Sequence, residues 1–524
     1  MRLNGDLTNL FFLSLLLFPF NLSGYSTPNV SLDSPAYRQI DKLVSFGLID
    51  DAIYGQRPWS RHEMARMTGE AIKILEKRGP VFPEDKFLNP LKKEFHEELV
   101  CQGFVPGECR DLEFHFLEQA RLDYTFLESP YRTIAGPTTQ SVNAFMNPLI
   151  DYQEGRHFAD GHTVALESGH STYLTKYFSL SGSPRLEVLV PDDDATANDA
   201  NLVIQNLQGK FNISNFELEI GRDSIVWGQG QNGGLLLSNN ARPLDQVKLS
   251  NDSPITLPWL FKYLGPSKAA FFVADLGPEQ FYSHPLLAGF KLSIKPFSFL
   301  ELGASQAVIL GGSGAPEGSF LEYVGEVFGI RPGIGFDTND VGKSDENLSN
   351  RLMGLELRIT IPPLRHSQIY YEMFTEACCG VFDQLYGYYG GLYIPRLTPS
   401  GTVDLRIEWV HTPPVLYTHG AFPSGWTLNQ KLLGHNIGPN GDGIEMEMGV
   451  DFSERWQDTT TLAFESRGRT PDEDRYRFIN TLSHQYNQNF NIHGTTGYEL
   501  VNDFNTVGNR IHNFLFQIGL TYRN

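Results

Sequence analysis

The last twelve residues of the chain read NFLFQIGLTYRN (513–524), and this stretch decides the predicted fold. Every second position from 514 to 522 carries an apolar or aromatic side chain: Phe514, Phe516, Ile518, Leu520 and Tyr522. Successive side chains of a β-strand point to opposite faces of the sheet. The spacing therefore predicts a strand with one apolar face and one mostly polar face.

The same alternation recurs in long segments elsewhere, including residues 286–294, 353–361, 403–409 and 444–452. Charged residues stand between the apolar ones, among them Glu356, Arg358, Arg406 and Glu408. Many long strands with charges on the polar face favour a barrel with lipid outside and water inside over a soluble sandwich. A final strand that closes on an aromatic residue also resembles the C-terminal signal of outer-membrane β-barrels.

The composition agrees with that class of protein. The chain has 524 residues, of which 12% are aromatic and 19% charged, and the charged share is low for a soluble protein. The formal net charge of -20 disfavours nucleic acid as a partner, because nucleic-acid binding needs a basic surface. No stretch after the first 26 residues approaches the roughly 20 apolar residues of a spanning helix.

The N-terminus predicts a secretion signal over residues 1–26. Residues 10–18 form an apolar stretch that is too short to span a membrane. Small residues follow it, and we predict cleavage after Gly24 or Ser26. The sequence therefore predicts an exported protein.

Residues 33–103 predict a small bundle of three amphipathic helices on the periplasmic side. Asp33 or Ser34 is the expected cap of the first helix, Ser60 opens the second, and the third is expected to begin near Asn89. Beyond residue 110 the helical period disappears, and we count about twenty candidate strands. The predicted fold is an all-β transmembrane antiparallel barrel over residues 110–524 with a small N-terminal α-helical bundle.

The four cysteines suit an oxidising compartment without requiring one. Cys101 and Cys109 close a short loop and are a candidate disulfide. Cys378 and Cys379 are adjacent, and the four thiols lack the spacing of a structural zinc site. We predict neither a metal nor a cofactor.

Two segments carry a family resemblance. The first is GRDSIVWGQGQNGGLLLSNNARP (221–243), and the second comprises YTHG (417–420) and GHNIGPNG (434–441). Together they resemble the capsule assembly Wzi family. The resemblance implies an outer-membrane barrel of about eighteen strands, the usual architecture being antiparallel and closed. It also implies a lectin-like protein that binds and retains capsular or other surface polysaccharide, with outer-membrane lipid and the polysaccharide export machinery as further partners.

The first segment also supplies candidate site residues by their chemistry. A tryptophan offers a flat face to a sugar ring, and asparagine and arginine offer donors to hydroxyl and carboxylate groups. The alternative is that the segment enters the lumen and plugs it, with its polar groups paired to inward charges. The candidates for glycan binding or for the plug are Arg222, Asp223, Trp227, Asn232, Asn239, Asn240, Arg242 and His435.

Two other functions remain open at this level. A porin-like passive channel predicts an open lumen and is the main alternative. A barrel hydrolase would need His419 or His435 beside a nucleophile such as Ser424 and an orienting acid. The chain contains no H-E-x-x-H, G-x-S-x-G or P-loop motif, so we predict that it is not an enzyme.

Overall fold

The structure is a computed structural model that describes residues 25–78, 85–129, 132–134, 144–193, 196–329, 348–376, 385–468, 472–504 and 506–524. The predicted signal up to Gly24, like Cys378 and Cys379, lies outside these ranges. Ser26 is buried, and its N–H donates to the carbonyl of Lys176 at 2.8 Å.

Antiparallel strands form a closed barrel of 18 members. In chain order they are β1 Glu113–Glu128, β2 Gly161–Thr175, β3 Phe178–Pro191, β4 Asp199–Ile213, β5 Phe216–Asp223, β6 Leu244–Asn251, β7 Pro266–Asp275, β8 Leu286–Phe297, β9 Leu300–Leu310, β10 Ser349–Ile361, β11 Ser367–Glu376, β12 Tyr386–Ile394, β13 Val403–Thr412, β14 Gly441–Asp451, β15 Trp456–Arg467, β16 Glu473–Gln485, β17 Phe490–Asn502 and β18 Arg510–Arg523. Each strand pairs with the next in sequence, and β18 closes on β1, where Leu520 lies opposite Leu122. The predicted fold class is confirmed.

The alternation predicted from sequence sets the two faces of the barrel wall. On β10, Leu355 is 59% exposed on the outside whereas Glu356 is 3% exposed on the inside. Arg358 and Glu408 are also buried and face inward, as predicted. A closed barrel satisfies every strand edge, and its outward apolar side chains can face lipid.

The two ends of the barrel differ in their connections. The chain enters β1 from the N-terminal helices and leaves β18 at the same end, which we call the helical end. Strands are joined there by turns as short as residues 176–177 and 214–215. The opposite end, the loop end, carries the long connections. The described residues of three of them fold inward: plug loop 1 (129–160), plug loop 2 (224–243) and plug loop 3 (413–440).

Among its described residues, the N-terminal region has four helices where three were predicted: α1 Ala36–Ser45, α2 Arg61–Arg78, α3 Asp85–Glu94 and α4 His96–Cys101. They share a core that includes the side chains expected from the helical period, namely Ile40, Leu43, Met64, Leu91, Phe95 and Leu99. The Ser60 hydroxyl accepts the N–H of Glu63 at 3.0 Å, as the capping pattern predicts.

Two expectations about these helices are wrong. The residue at the N-cap of α1 is Pro35, and the Ser34 hydroxyl accepts the N–H of Ala36 from one residue further out. The third helix begins at Asp85, so Pro90 lies inside it. A proline in a helix removes one backbone hydrogen bond. The helix continues through it because Leu88 and Leu91 are buried on either side, and tertiary packing outweighs the local preference.

The helices are fastened to the barrel by a covalent bond and by ion pairs. A disulfide joins Cys101, at the end of α4, to Cys109 on the segment that enters β1. Arg38 on α1 lies 2.6 Å from Asp451, and His62 on α2 lies 2.8 Å from Asp252 beyond β6. The helical end is therefore closed by a unit held on several sides.

A fifth helix, α5 Phe320–Phe328, lies in the connection between β9 and β10. Within the described ranges, no helix is long and apolar enough to cross a membrane.

The position of Leu357 on the outer face of β10 gives a test of the barrel's placement. We expect Leu357→Arg to destabilise the protein by about 2–4 kcal/mol if the residue lies near the bilayer midplane, because the charge then faces hydrocarbon. Reversible denaturant unfolding in lipid vesicles measures this change. The control is Leu364→Arg, an exposed residue in the turn after β10, which should cost far less. Equal effects of the two substitutions would contradict the placement.

Candidate functional site: the plugged lumen and its exposed cover

Plug loop 2 enters the lumen immediately after β5. Val226 and Trp227 form a two-residue strand that pairs antiparallel with Gln56 and Arg57 from the N-terminal region. Trp227 is only 2% exposed, and its ring packs edge to face on Phe272 of β7, with the centroids 5.1 Å apart. The loop from one end of the barrel and the helical unit from the other therefore meet inside the lumen.

A single carboxylate on the wall, that of Glu372 on β11, holds the turn of plug loop 2. It accepts the backbone N–H of Gln229 and, at 3.2 Å, that of Leu235. Gly228 and Gly234 bring their backbone so close to this carboxylate that a Cβ on either residue would collide with it. The glycines of the motif are thus required for a close approach between backbone and charge.

The Gln229 side chain lies in a lattice of charged wall residues. Its amide nitrogen donates to Glu301 at 3.1 Å and to Glu356 at 3.2 Å, while its oxygen accepts from Arg358 at 2.8 Å. Glu356 is also paired with Lys291 of β8. Buried charges are stable only when they are paired and hydrogen-bonded, so the plug and the wall satisfy each other.

Plug loop 3 packs on plug loop 2. The Tyr417 hydroxyl donates to the carbonyl of Leu235 at 2.7 Å, and the Trp426 indole donates to that of Leu236 at 2.9 Å. Their side chains belong to one apolar core inside the barrel, which also contains Leu237, Leu428, Leu432 and Ile437. The two sequence segments that carry the family resemblance are therefore parts of one plug.

Plug loop 1 adds a third layer. The N–H groups of Glu154 and Gly155 donate to the carbonyls of Asn239 and Asn240 at 2.7 and 3.1 Å. The Tyr152 hydroxyl donates to Asn436 of plug loop 3 at 2.8 Å. All three plug loops are thus hydrogen-bonded to one another across the lumen.

The charged candidates at the edges of plug loop 2 take part in local ion pairs. Arg222 binds Asp245 through two nitrogens at 2.7 and 2.9 Å, and Arg242 lies 3.0 Å from the same carboxylate. The register places Arg222 and Asp245 opposite each other in line with outward-facing Ile220 and Val247, on the outer side of the rim. Asp223 faces inward and accepts from Asn29, so it joins the helical unit to the wall.

Two of the remaining candidates line a small cavity of about 30 Å³ between the plug loops and the wall of β12–β16. Asn232 and His435 line it, and the His435 ring lies 5.8 Å from that of Tyr152 and 5.4 Å from that of Tyr389. Burial lowers the pKa of His435 to about 4, so the ring is neutral at physiological pH.

Asn239 and Asn240 serve the plug through their backbone rather than through a free amide. The carbonyl of each residue accepts a hydrogen bond from plug loop 1, and the Asn240 amide donates to the carbonyl of Leu432 at 3.0 Å. Of the eight residues proposed from sequence, Asn232 and His435 line the cavity, and the others fix the plug or the rim.

The hydrolase constellation is not assembled by the residues proposed for it. His419 accepts the N–H groups of Ala421 and Phe422 at 3.2 Å, and Ser424 accepts that of Phe281 at 2.8 Å. The His419 ring binds the backbone of its own loop, and the Ser424 hydroxyl binds the backbone of the β7–β8 connection. A histidine that acted as a base would instead be directed at the serine hydroxyl.

A possible metal-ligand group lies elsewhere, at the helical end. Glu97, Glu113 and His115 have ligand atoms within 4.8 Å of one another. His115 lies 3.2 Å from Glu97, and this ion pair already explains the approach.

Some residues of the plug are exposed at the loop end, although the sequence analysis did not select them. Phe281, in the connection between β7 and β8, is 65% exposed. Asn429 and Gln430 are exposed at the tip of a small hairpin in plug loop 3, with φ angles of 46° and 59°. The two loops are joined where Gln280 donates to the carbonyl of Thr427 at 2.8 Å. We call Phe281, Asn429 and Gln430 the exposed cover.

A local signal for the hairpin was present in the sequence. Asn429 and Gln430 separate two short runs, Thr427–Leu428 and Lys431–Leu432, that pair with each other. A two-residue hairpin turn with positive φ at both positions favours asparagine. The exposure of Phe281 had no comparable signal, because an isolated aromatic residue is usually buried.

The profile of the family described as "Capsule assembly protein Wzi" matches residues 132–514, which include plug loops 2 and 3 and all but the first three residues of plug loop 1. The chain belongs to this family. Its membership and the closed barrel place the protein in the outer membrane.

Individual relatives are distant. A Klebsiella pneumoniae protein described as an uncharacterized 55.8 kDa protein in the cps region is 24% identical over 177 residues, which is 33% of each chain. The aligned part thus spans only a third of that relative. A solved Escherichia coli structure, described as Wzi, an outer membrane protein involved in group 1 capsule assembly and a carbohydrate-binding β-barrel, has a TM-score of 0.68. It is 16% identical, and the match covers 96% of this chain and 99% of that one.

A Pseudomonas aeruginosa barrel, OccK3, matches with a TM-score of 0.42 and 10% identity over 77% of this chain and 94% of its own. A likeness of that size says nothing about function.

The clamp formed by Glu372 gives a test of the plug in this family member. Glu372→Ala leaves two buried N–H groups without an acceptor, at a cost of about 1–3 kcal/mol each. We expect plug loop 2 to loosen and the single-channel conductance in planar bilayers to rise. Glu372→Gln keeps one acceptor oxygen and should give a smaller increase. An unchanged conductance in both variants, with the barrel folded, would show that this carboxylate does not hold the plug.

Proposed function

We propose that this protein binds and retains surface polysaccharide at the loop end of an outer-membrane barrel. The observation that carries the proposal is the closed lumen: three hydrogen-bonded loops and the helical unit fill it from both ends. A barrel whose lumen is closed presents only its outer surface to the surrounding medium. Membership of the capsule assembly protein Wzi family supports capsular polysaccharide as the ligand class.

In this proposal the loop end faces outward and the helical end faces the periplasm. Long loops belong on the external face of outer-membrane barrels, and short turns on the periplasmic face. The segmentation into a signal at 1–26, a periplasmic bundle at 33–103 and a barrel at 110–524 stays a prediction. Contact of the helical end with the polysaccharide export machinery stays a prediction.

The exposed cover has the chemistry that a polysaccharide needs. The Phe281 ring offers an apolar face to a sugar ring, and the amides of Asn429 and Gln430 provide donors and acceptors for hydroxyl groups. The main chain below these residues is fixed by the hydrogen bond from Gln280 to Thr427. One such contact contributes little binding free energy. The repeated sugars of a polymer can make the same contact with many barrels in one membrane, which raises the overall affinity.

The porin-like alternative requires a continuous path through the lumen. Trp227, Leu235 and Trp426 are fully buried at the centre of the barrel, where that path would run. The enzyme alternative has no support from His419 and Ser424, because each accepts a backbone N–H group. Retention of a polymer needs neither a channel nor a reaction.

The exposed cover provides the test of the proposal. We expect the combined substitution of Phe281→Ala and Asn429→Ala to weaken binding of capsular polysaccharide about tenfold, which corresponds to about 1.4 kcal/mol. Binding is measured by surface plasmon resonance on purified barrel and by the polymer retained on cells.

The matched control is Val507→Ala, at the tip of another loop-end connection, where the side chain is 83% exposed. Binding by this variant should be unchanged. Binding that survives the double substitution would refute the assignment to the cover, and an unmodified protein that bound no surface polysaccharide would refute the function.

A further inference from the structure

Helix α5 lies on the outside of the barrel wall. Phe328 at its C-terminal end stacks on Phe271 and Phe290, with ring centroids 6.4 and 5.8 Å away. Phe271 and Phe290 are direct register partners, and Phe271 is also the partner of Leu249, an exposed side chain of the outer face. Val327 completes the contact by packing with Ala288, Val308 and Leu310 of the same face.

The helix covers polar side chains on a face that is otherwise apolar. The register places Gln306 opposite Phe290, Ser349 opposite Leu310 and Arg351 opposite Val308, so all three point outward. All three are nevertheless buried. Without α5 they would face lipid, where an unpaired polar group costs several kcal/mol.

The C-terminal end of α5 satisfies two of these groups, Gln306 and Ser349. The Gln306 amide donates to the carbonyls of Glu326 and Val327 at 3.0 and 2.8 Å, and the Ser349 hydroxyl donates to the Glu326 carboxylate at 2.6 Å. The last carbonyls of a helix have no partner within the helix. Side chains of the wall donate to the acceptors at the helix end. The polar groups of the helix end and of the wall are therefore both shielded from hydrocarbon.

The apolar stripe of α5 extends beyond its contact with the wall. Phe320 and Leu321 lie seven residues before Val327 and Phe328, on the same side of the helix, and within the described ranges they are 79% and 65% exposed. Ser319 and Glu322 form a reciprocal capping box in the same first turn. The side of α5 that packs on the lipid-facing wall therefore ends in two exposed apolar side chains.

We propose that α5 is immersed in the membrane leaflet at the loop end, where Phe320 and Leu321 contact lipid acyl chains. The lipid is the chosen occupant because this face is continuous with the lipid-facing wall. A chain that must bury Gln306, Ser349 and Arg351 inside lipid needs such an arm, and in water the arm would leave two large apolar side chains exposed side by side. The inference is independent of polysaccharide binding.

The test measures the surroundings of position 321 directly. Leu321→Trp is prepared with 5-fluorotryptophan, in nanodiscs that hold one barrel each, and its ¹⁹F resonance is identified by difference from the unsubstituted protein. We expect a lipid carrying a nitroxide on its acyl chain to broaden this resonance, and a water-soluble gadolinium chelate to leave it sharp.

Two control positions calibrate the measurement. Leu292→Trp, on the outer face of β8, should behave like position 321, whereas Val507→Trp at an exposed loop tip should respond to gadolinium only. Broadening of the 321 resonance by gadolinium would overturn the proposal. Protection from both agents would also overturn it, because the face would then be covered by protein. Phe320→Trp, a more conservative exchange, replaces Leu321→Trp if that variant fails to fold.

Discussion

The rest of the structure depends on one constraint: the inward wall of the barrel carries charges that must be paired. Glu372 accepts two backbone N–H groups of plug loop 2, and Glu301, Glu356 and Arg358 enclose the Gln229 amide. Buried charges of this kind cost several kcal/mol when one partner is missing. The plug is therefore the counterpart that the wall needs, and the wall fixes where the plug can lie.

This pairing also explains why the helical unit and the loops act together. Gln56 and Arg57 pair with Val226 and Trp227 at the centre of the lumen, so closure from the helical end and closure from the loop end share one small sheet. Such an arrangement suits a protein whose role lies at its surface. It agrees with the family to which the chain belongs and with the proposed retention of polysaccharide by the exposed cover.

On the outer face of the wall, the same cost of unsatisfied polar groups acts on a mostly apolar surface. Inside the barrel, polar groups are abundant and the plug brings backbone to them. On the outside, Gln306, Ser349 and Arg351 are an exception in an apolar surface, and α5 brings its terminal carbonyls and Glu326 to that place. In both cases a loop-end connection returns to the wall because unsatisfied polar groups are costly where water is excluded.

The sequence by itself determined the barrel, because alternation with a period of two is a local property: Leu355 faces out and Glu356 faces in without reference to any other strand. It also located the plug segment through its glycines and the family resemblance. Only the tertiary structure decided what each side chain in that segment does. Trp227 has the chemistry of a sugar platform but is buried against Phe272, whereas Phe281 is exposed. The physical reason is that burial in the lumen depends on contacts between loops far apart in the chain, and no local sequence pattern determines which loop covers which.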